Sequence, residues 1–556
     1  MKLQIKLLTA AMTTFMVAGC SQFHKNNAPV LEAAPVMPAP VNQANAAPTL
    51  GKSVRHTGVS VQPMLLGYTY QDAQGVNYQE SSPPNINTER YQDLEQNPVH
   101  EVAKEPISTF SIDVDTGSYA NVRRYLERGG RLPPKDAVRV EEMVNYFDYH
   151  YPNPTGQHPF SVNTEIVDSP WQANAKLIKI GIKAKDLEQK ELPPANLVFL
   201  IDVSGSMDAE DKLPLVKKTL RLLTEQLRPQ DKVTLITYAS GEKLVLEPTS
   251  GNEKDKILKA INQLQAGGAT SGEKAIQMAY KEAEKSLIKN GINRILIATD
   301  GDFNVGITDF GTLKGIVAEK RKSGISLTTL GFGTGNYNEK LMEQLADAGD
   351  GNYSYIDTEK EAKKILQRQL SSTLATVAKD VKIQVEFNPV TVKEYRLVGY
   401  ENRLLKNEDF KNDNVDAGDI GAGHTVTAFY EIIPVGQKGW LEDSRYQANT
   451  NLKESNNNKE YAYLNMRYKQ PGQTKSILLS QAITVTSKPL SQASSDTRFA
   501  VAVAAYAQQL KGGAYNGNMK WSDIVGLAEK SKSNDEFGLR QEFIELAKIA
   551  QSLSVK

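Results

Sequence analysis

The sequence has few of the side chains that bind soft metals or perform nucleophilic catalysis. Its 556 residues include one cysteine, Cys20, and six histidines. A single cysteine excludes a disulfide framework and a zinc site built from thiolates. Residues 195–370 contain neither cysteine nor histidine, which excludes a Ser-His or Cys-His catalytic pair within that segment.

An excess of charge of one sign and long apolar segments are also missing. The 65 basic side chains equal the 65 acidic ones, which removes the usual electrostatic reason to expect nucleic acid as a partner. No stretch reaches the 18 or more apolar residues that indicate a membrane-spanning helix. The length leaves room for about three domains.

The first nineteen residues are typical of a secretory signal peptide. Lys2 and Lys6 precede an apolar stretch over residues 7–18, which is too short to span a bilayer. The sequence Val17-Ala18-Gly19-Cys20 resembles the bacterial lipobox, which implies cleavage before Cys20 and acylation of its thiol, with palmitate among the acyl groups. Ser21 favours the outer membrane by the Gram-negative sorting rule. The alternative is an ordinary signal peptide with a chance cysteine.

Changes in composition divide the rest of the chain into five segments. Residues 21–50 are rich in Ala, Pro, Asn and Gln. Such a segment cannot bury enough apolar surface to fold, and it predicts an extended tether. The predicted segments are a disordered tether at 20–105, an N-terminal flanking domain at 106–192, an α/β domain at 193–370, a β-rich domain at 378–490 and a helical C-terminal region at 491–556.

The segment 193–370 alternates regularly between strands and helices. Residues 197–201 form a continuous apolar run, as expected of a strand that is buried on both faces. The alternation predicts an α/β fold with a doubly wound, mainly parallel sheet. The β-rich stretches at 108–185 and 381–487 are each small, so we expect them to pair with each other and to carry the α/β domain as an insertion.

Three oxygen-rich segments follow predicted strands or precede a predicted helix in this domain. They are Asp202-Val203-Ser204-Gly205-Ser206, Gly267-Gly268-Ala269-Thr270 and Asp300-Gly301. Ligand sites of open α/β sheets lie just past the carboxyl ends of the strands. Each segment also has a simple structural interpretation, as a turn, a helix cap or, for Thr270 with Glu273, a capping box.

Together, two carboxylates and three hydroxyls without histidine or cysteine suit a hard divalent cation. Mg²⁺ prefers oxygen ligands and keeps several waters, although Mn²⁺ and Ca²⁺ accept oxygen ligands too. The order Asp-x-Ser-x-Ser, Thr, Asp resembles the metal-ion-dependent adhesion site (MIDAS) of von Willebrand factor type A domains. The resemblance implies that Ser204, Ser206 and Thr270 bind the metal directly, that Asp202 and Asp300 act largely through water, and that the metal accepts a carboxylate from a protein partner.

Two further segments resemble a bacterial family of such proteins, the lipoproteins of the YfbK type. They are residues 111–119, Ser-Ile-Asp-Val-Asp-Thr-Gly-Ser-Tyr, and residues 538–543, Gly-Leu-Arg-Gln-Glu-Phe. The Asp113-x-Asp115 pair fails the EF-hand pattern, because positions five and twelve are Gly117 and Arg124, and a turn is favoured. The glycines at 331–335 lack the spacing of a nucleotide fingerprint and predict a structural turn. His424 is interpreted as a strand-edge residue.

The sequence therefore predicts a non-enzymatic protein-binding module that is lipid-anchored in a bacterial envelope and depends on a divalent metal. We expect an acidic side chain of a protein as partner and no small-molecule substrate. One alternative is a structural envelope lipoprotein without metal-dependent binding. The other is a Mg²⁺-dependent hydrolase, since the acidic residues Asp208, Asp211, Asp302 and Asp309 crowd the same rim.

Overall fold

The computed structural model describes residues 68–71, 77–80, 88–270, 272–301, 310–372, 375–442, 458–533, 535 and 537–555. The signal peptide, the lipobox with Cys20 and most of the tether lie outside the described residues. The chain divides into two units, residues 1–82 and 83–556. In the first unit, β1 (Tyr68–Gln71) and β2 (Asn77–Glu80) form an antiparallel pair.

The second unit begins with a flanking region of short strands and two helices. Apolar residues recur at alternate positions in its longer strands, and nearly every residue of both helices is buried. The elements are β3 (His100–Glu101), β4 (Ile107–Ser111), α1 (Gly117–Glu127), α2 (Val140–Asn145), β5 (Phe160–Asp168) and β6 (Lys176–Ala184).

Part of the segment assigned above to the tether packs on the fold. The amide of Thr88 donates to the carbonyl of Gly335 at 2.8 Å, and that of Arg90 donates to the carbonyl of Tyr337 at 2.9 Å. The buried Asn97 side chain donates to the carbonyls of Leu397 and Gly399. The prediction of a disordered tether is therefore wrong for residues 88–105. These hydrogen-bond partners lie more than 200 residues away in sequence, so no local pattern indicates the contacts.

The central segment has the alternation that the sequence predicts. It consists of β7 (Ala195–Asp202), α3 (Leu213–Gln226), β8 (Lys232–Tyr238), β9 (Glu242–Ser250), α4 (Lys254–Asn262), α5 (Glu273–Lys285), β10 (Ile292–Thr299), α6 (Phe310–Lys320), β11 (Ser326–Phe332), α7 (Glu339–Ala348), β12 (Tyr353–Ile356) and α8 (Glu359–Ser372).

These strands form one sheet in the order β12-β11-β10-β7-β8-β9, and all its pairs are parallel except β8 with β9. Successive side chains of β7 point to opposite faces. Leu197, Phe199 and Ile201 pack with α3, α4 and α8, whereas Val198 and Leu200 pack with α5, α6 and α7. The doubly wound sheet is confirmed, and its strand order reverses at β7.

The last segment returns to strands and then to helices. Its elements are β13 (Thr376–Phe387), β14 (Val392–Val398), β15 (Ile420–Gly421), β16 (Thr425–Pro434), β17 (Glu460–Lys469), β18 (Ile477–Thr484), α9 (Ser495–Leu510), α10 (Trp521–Ser531) and α11 (Leu539–Leu553).

The two flanking regions pair with each other across the central domain. Strand β4 pairs with β13 and β6 pairs with β16, both antiparallel. The resulting two antiparallel sheets share one apolar core that includes Phe110, Ile180, Ile383 and Val426. The predicted insertion of the α/β domain between the flanks is confirmed. A second core joins α1 and α2 to the C-terminal helices.

No helix within the described part of the chain is long and apolar enough to cross a membrane.

Candidate metal site

The strand order places the two predicted aspartates beside each other at the carboxyl edge of the sheet. Asp202 is the last residue of β7, and Asp300 directly follows β10. The two strands are parallel neighbours with Ile201 opposite Ala298. Because the strand order reverses at β7, this edge is the switch point at which open α/β sheets bind ligands.

Asp202 is fully buried and fixed by hydrogen bonds to both carboxylate oxygens. Oδ1 accepts from the backbone amide of Ser204 at 2.9 Å, and Oδ2 accepts from the hydroxyl of Thr299 at 2.8 Å. Burial raises the pKa of Asp202 to about 6, although the bonds to Ser204 and Thr299 oppose the shift. The turn interpretation of Asp202 thus holds locally, while its second oxygen ties the loop to β10.

The serine hydroxyls connect this loop to Asp300. The Oγ atoms of Ser204 and Ser206 lie 3.1 Å apart, and the Ser206 hydroxyl donates to Oδ2 of Asp300 at 2.8 Å. Ser204 and Asp300 are buried, whereas Ser206 is exposed. The four side chains therefore form one linked group of oxygens with an open side at Ser206.

The loop that carries Thr270 lies against the loop that carries the serines. The amide of Gly205 donates to the carbonyl of Gly268 at 2.9 Å, and that of Gly267 donates to the carbonyl of Val203 at 2.7 Å. Thr270 itself is buried. Helix α5 begins at Glu273 with Gly272 as its N-cap residue, so Thr270 does not cap the helix and the capping-box interpretation is wrong.

Two residues of the group were missed by the sequence analysis. The Lys212 ammonium donates to Oδ2 of Asp300 and to Oδ1 of Asn336, both at 2.9 Å, and the Asn336 amide donates to the same Asp300 oxygen at 3.0 Å. A signal existed for Asn336, because it follows strand β11 at the same edge of the sheet. Nothing in the sequence marks Lys212, whose role depends on the turn before α3.

Gly333 makes room for the lysine. It has a φ of +79°, and a Cβ there would collide with the methylene carbons of Lys212. The glycine-rich stretch at 331–335 is therefore a structural turn that also lets Lys212 reach Asp300.

The donor set suits a hard cation more than catalysis. Its oxygens come from the carboxylates of Asp202 and Asp300 and the hydroxyls of Ser204 and Ser206, and the buried Thr270 follows on the adjoining loop. Within the described ranges no three His, Cys, Asp or Glu side chains converge on a metal position, and this group has only two carboxylates. Of the other rim acids, Asp208 is exposed and Asp211 accepts from Thr334 at 3.3 Å, while Asp302 and Asp309 lie outside the described residues.

Three family models match successive parts of the chain. The von Willebrand factor type A domain matches residues 196–369, a model described as von Willebrand factor matches residues 85–179, and the C-terminal region of the uncharacterized protein YfbK matches residues 372–553. The type A match covers the whole linked group of oxygens.

Similar proteins are found among curated sequences and among solved structures. The uncharacterized protein YfbK of Escherichia coli K12 is 47% identical over 84% of this chain and 82% of its own length. Human inter-alpha-trypsin inhibitor heavy chain H4 is 28% identical over 37% of this chain and 23% of its own length. A von Willebrand factor type A structure from Catenulispora acidiphila, 15% identical, covers 71% of this chain and 92% of that chain with a TM-score of 0.39.

Proposed function

Because the chain belongs to the YfbK family of von Willebrand factor type A proteins, we propose that it is a membrane-anchored protein-binding module of the bacterial envelope that depends on a divalent metal. A type A domain suggests a protein-interaction or adhesion module. The observation that carries the metal dependence is the linked group of oxygens at the switch point, with Ser206 at its exposed side.

In this proposal each side chain has a separate role. The hydroxyls of Ser204, Ser206 and Thr270 would bind Mg²⁺, or Mn²⁺ or Ca²⁺, while Asp202 and Asp300 would hold bound waters and balance the charge. A bound ion would supply the positive charge that attracts a carboxylate of the partner. Lys212 neutralises part of the negative charge of Asp300. Asp300 would therefore cancel less of the positive charge of the ion, and the remainder would attract the carboxylate of the partner.

A calorimetric titration of the full chain in detergent with Mg²⁺ tests the site. We expect Mg²⁺ to bind the parent protein, and Ser204→Ala to weaken binding at least tenfold because a direct ligand is lost. Circular dichroism should show an unchanged fold in this variant, since Ser204 supports only the loop.

The matched control is Ser323→Ala, which removes an exposed hydroxyl near the start of β11, at the opposite edge of the sheet. It should bind Mg²⁺ like the parent. Equal Mg²⁺ binding by the parent and by Ser204→Ala would contradict the proposed ligand set. No binding by the parent would contradict the metal site itself.

The anchoring part of the proposal depends on Cys20 and the sequence before it. More than one acyl chain on a single residue gives stable membrane attachment. We expect Cys20→Ser to move the protein from the membrane fraction to the soluble fraction, measured by immunoblot after fractionation of a Gram-negative host. Ser21→Ala is the control and should stay with the membrane. Retention of Cys20→Ser in the membrane fraction would refute the lipid anchor.

A further inference from the structure

A cavity of about 590 Å³ opens beside the exposed side of the oxygen group. On one side it is bounded by Ser206, Lys212 and the loop 334–336, and on the other by the end of helix α1 and the turn that follows it. We propose that this cavity binds an extended acidic segment of a partner protein, with one carboxylate at Ser206 and a second at Arg128 and Arg131. The inference rests on the proposed function, because the first carboxylate needs the metal.

The charge of the wall formed by α1 supports an acidic occupant. Arg128 donates to the backbone carbonyl of Asp357 at 2.8 Å, and the guanidinium of Arg131 lies 5.2 Å from the ring centre of Tyr125. Both arginines are exposed, and in the part of the chain that the structure describes neither has a carboxylate partner. Two guanidinium groups are therefore available for carboxylates, which arginine binds with two parallel hydrogen bonds.

The chain itself already places one carboxylate in this wall. Glu89 accepts from Arg124 at 2.9 and 3.0 Å and from the amide of Gly335 at 2.9 Å. Although burial raises the pKa of Glu89, the bonds to Arg124 lower it to about 2. The neighbouring backbone is extended and pairs with the loop through Thr88 and Arg90. The wall thus holds an acidic side chain on an extended segment, which is the chemistry we propose for the partner.

The two halves of this cavity come from different parts of the sequence. Ser206 and Lys212 belong to the type A domain, whereas Arg128 and Arg131 belong to the flanking region that precedes it. A metal ion held at Ser204 and Ser206 would by itself accept any accessible carboxylate. The flanking arginines would add selectivity for a segment with several acidic residues, since a second charge–charge contact is made only by such a segment.

The test uses a fluorescein-labelled peptide of six glutamates and the full chain in detergent, followed by fluorescence anisotropy with Mg²⁺ or with EDTA. We expect binding in Mg²⁺ and at least tenfold weaker binding in EDTA. Arg128→Glu/Arg131→Glu should weaken peptide binding at least tenfold while Mg²⁺ binding, measured by calorimetry, does not decrease. Arg128→Gln/Arg131→Gln should cause a smaller loss of peptide binding. A six-glutamine peptide should not bind.

The charge control is Lys281→Glu/Lys289→Glu, which makes the same change in net charge at exposed positions on or after α5. It should bind the peptide like the parent, and an equal loss there would overturn the inference in favour of a general charge effect. The inference would also be overturned if the arginine variants bound the peptide with the same affinity as the parent protein. Mg²⁺ binding without peptide binding would overturn the inference alone, whereas a failure to bind Mg²⁺ would overturn the proposed function.

Discussion

Replacing Arg123 with methionine is expected to destabilise the protein by about 3–5 kcal/mol, the usual effect of removing one partner of a buried ion pair. The Arg123 guanidinium is buried and forms ion pairs with Asp357, Glu361 and Glu542. It donates to Asp357 through Nε at 2.9 Å and to Glu361 at 2.7 Å. In Arg123→Met the buried carboxylates of Asp357 and Glu361 lose this cation, and of the two Glu361 keeps a second one, Lys364 at 3.5 Å. The measurement is the midpoint of denaturant-induced unfolding, followed by tryptophan fluorescence.

The position of Arg123 explains why the effect should reach beyond one domain. The residue lies on α1, Asp357 and Glu361 belong to the end of the type A domain, and Glu542 lies on α11. The control is Lys360→Met, because Lys360 also contacts Glu542 but is half exposed, and exposed pairs contribute about 0–1 kcal/mol. Adding Glu361→Gln to Arg123→Met should recover part of the loss. A shift no larger than that of Lys360→Met would refute the argument.

Lowering the pH from 8 to 5.5 is expected to raise the melting temperature by several degrees. Five buried carboxylates lie between the flanking regions and the type A domain, and we call them the acidic junction: Asp115, Glu141, Glu142, Glu339 and Glu343. Burial raises the pKa of Glu141 and Glu343 to about 7 and that of Glu339 to about 8, and it raises the pKa of Asp115 and Glu142 well above the usual range.

The sign follows from the protons that each state binds. Unfolded glutamates lose their proton near pH 4.5, while the folded ones keep it to about pH 7–8, so the folded state binds more protons in this window. The contribution of these protonated carboxyls to the free energy of unfolding is therefore fully present below pH 4.5. It is lost as the pH rises through the pKa values of the folded state, about 7–8. The surroundings include Asp113, Asp347 and Glu401, with the cations Arg139 and Arg403.

Within the described residues, the other groups whose pKa is shifted into or out of the range between pH 5.5 and 8 do not reverse this sign. Burial lowers the pKa of His424 to about 4, which favours the opposite trend. The raised pKa of Asp202, about 6, acts in the same direction as the junction. The acidic junction should therefore determine the direction of the pH dependence.

A thermal scan monitored by circular dichroism at both pH values provides the check. Glu142→Gln should raise the melting temperature at pH 8 and leave it nearly unchanged at pH 5.5, since the amide mimics the protonated acid. Glu386→Gln, at an exposed position on β13, is the control and should change neither value. A melting temperature that falls between pH 8 and pH 5.5 would refute the role of the junction.

The parts of the fold that follow a strong period in sequence were predictable, and those that depend on distant contacts were not. The parallel strands around β7 are continuous apolar runs that only a buried sheet explains. The sequence pattern predicts no strand between the strand at 233–238 and the helix near 254–265. The structure has β9 there, a half-exposed edge strand that contains Pro248 and is paired on one side only. The predicted elements of this domain also end with a short strand near residues 353–356, whereas the structure adds α8 after it, although the polar and apolar residues of α8 follow a helical period.

The residues of the candidate site likewise fall into those that the sequence predicts and those that it does not. Asp202, Ser204, Ser206, Thr270 and Asp300 could be named because they occupy positions at the ends of elements that the period locates. Lys212 could not, since its long side chain crosses a turn at Gly333 before it reaches Asp300. Glu89 lies in a segment without periodicity and was assigned to the tether. Side chains that act at a distance from their own element leave no local signal.

The pairing between the two flanks also constrains the order in which the chain can acquire its structure during synthesis. Phe110 of β4 is the neighbour of Ile383 in β13, and Ile180 of β6 is the neighbour of Ala428 in β16. A nascent chain must therefore be translated past the whole type A domain before β4 and β6 meet their partners. The inserted domain contains its own sheet and cores, so its contacts are available first. A polypeptide that ends before residue 376 lacks β13 and β16, so the edges of β4 and β6 stay without the strands that cover them.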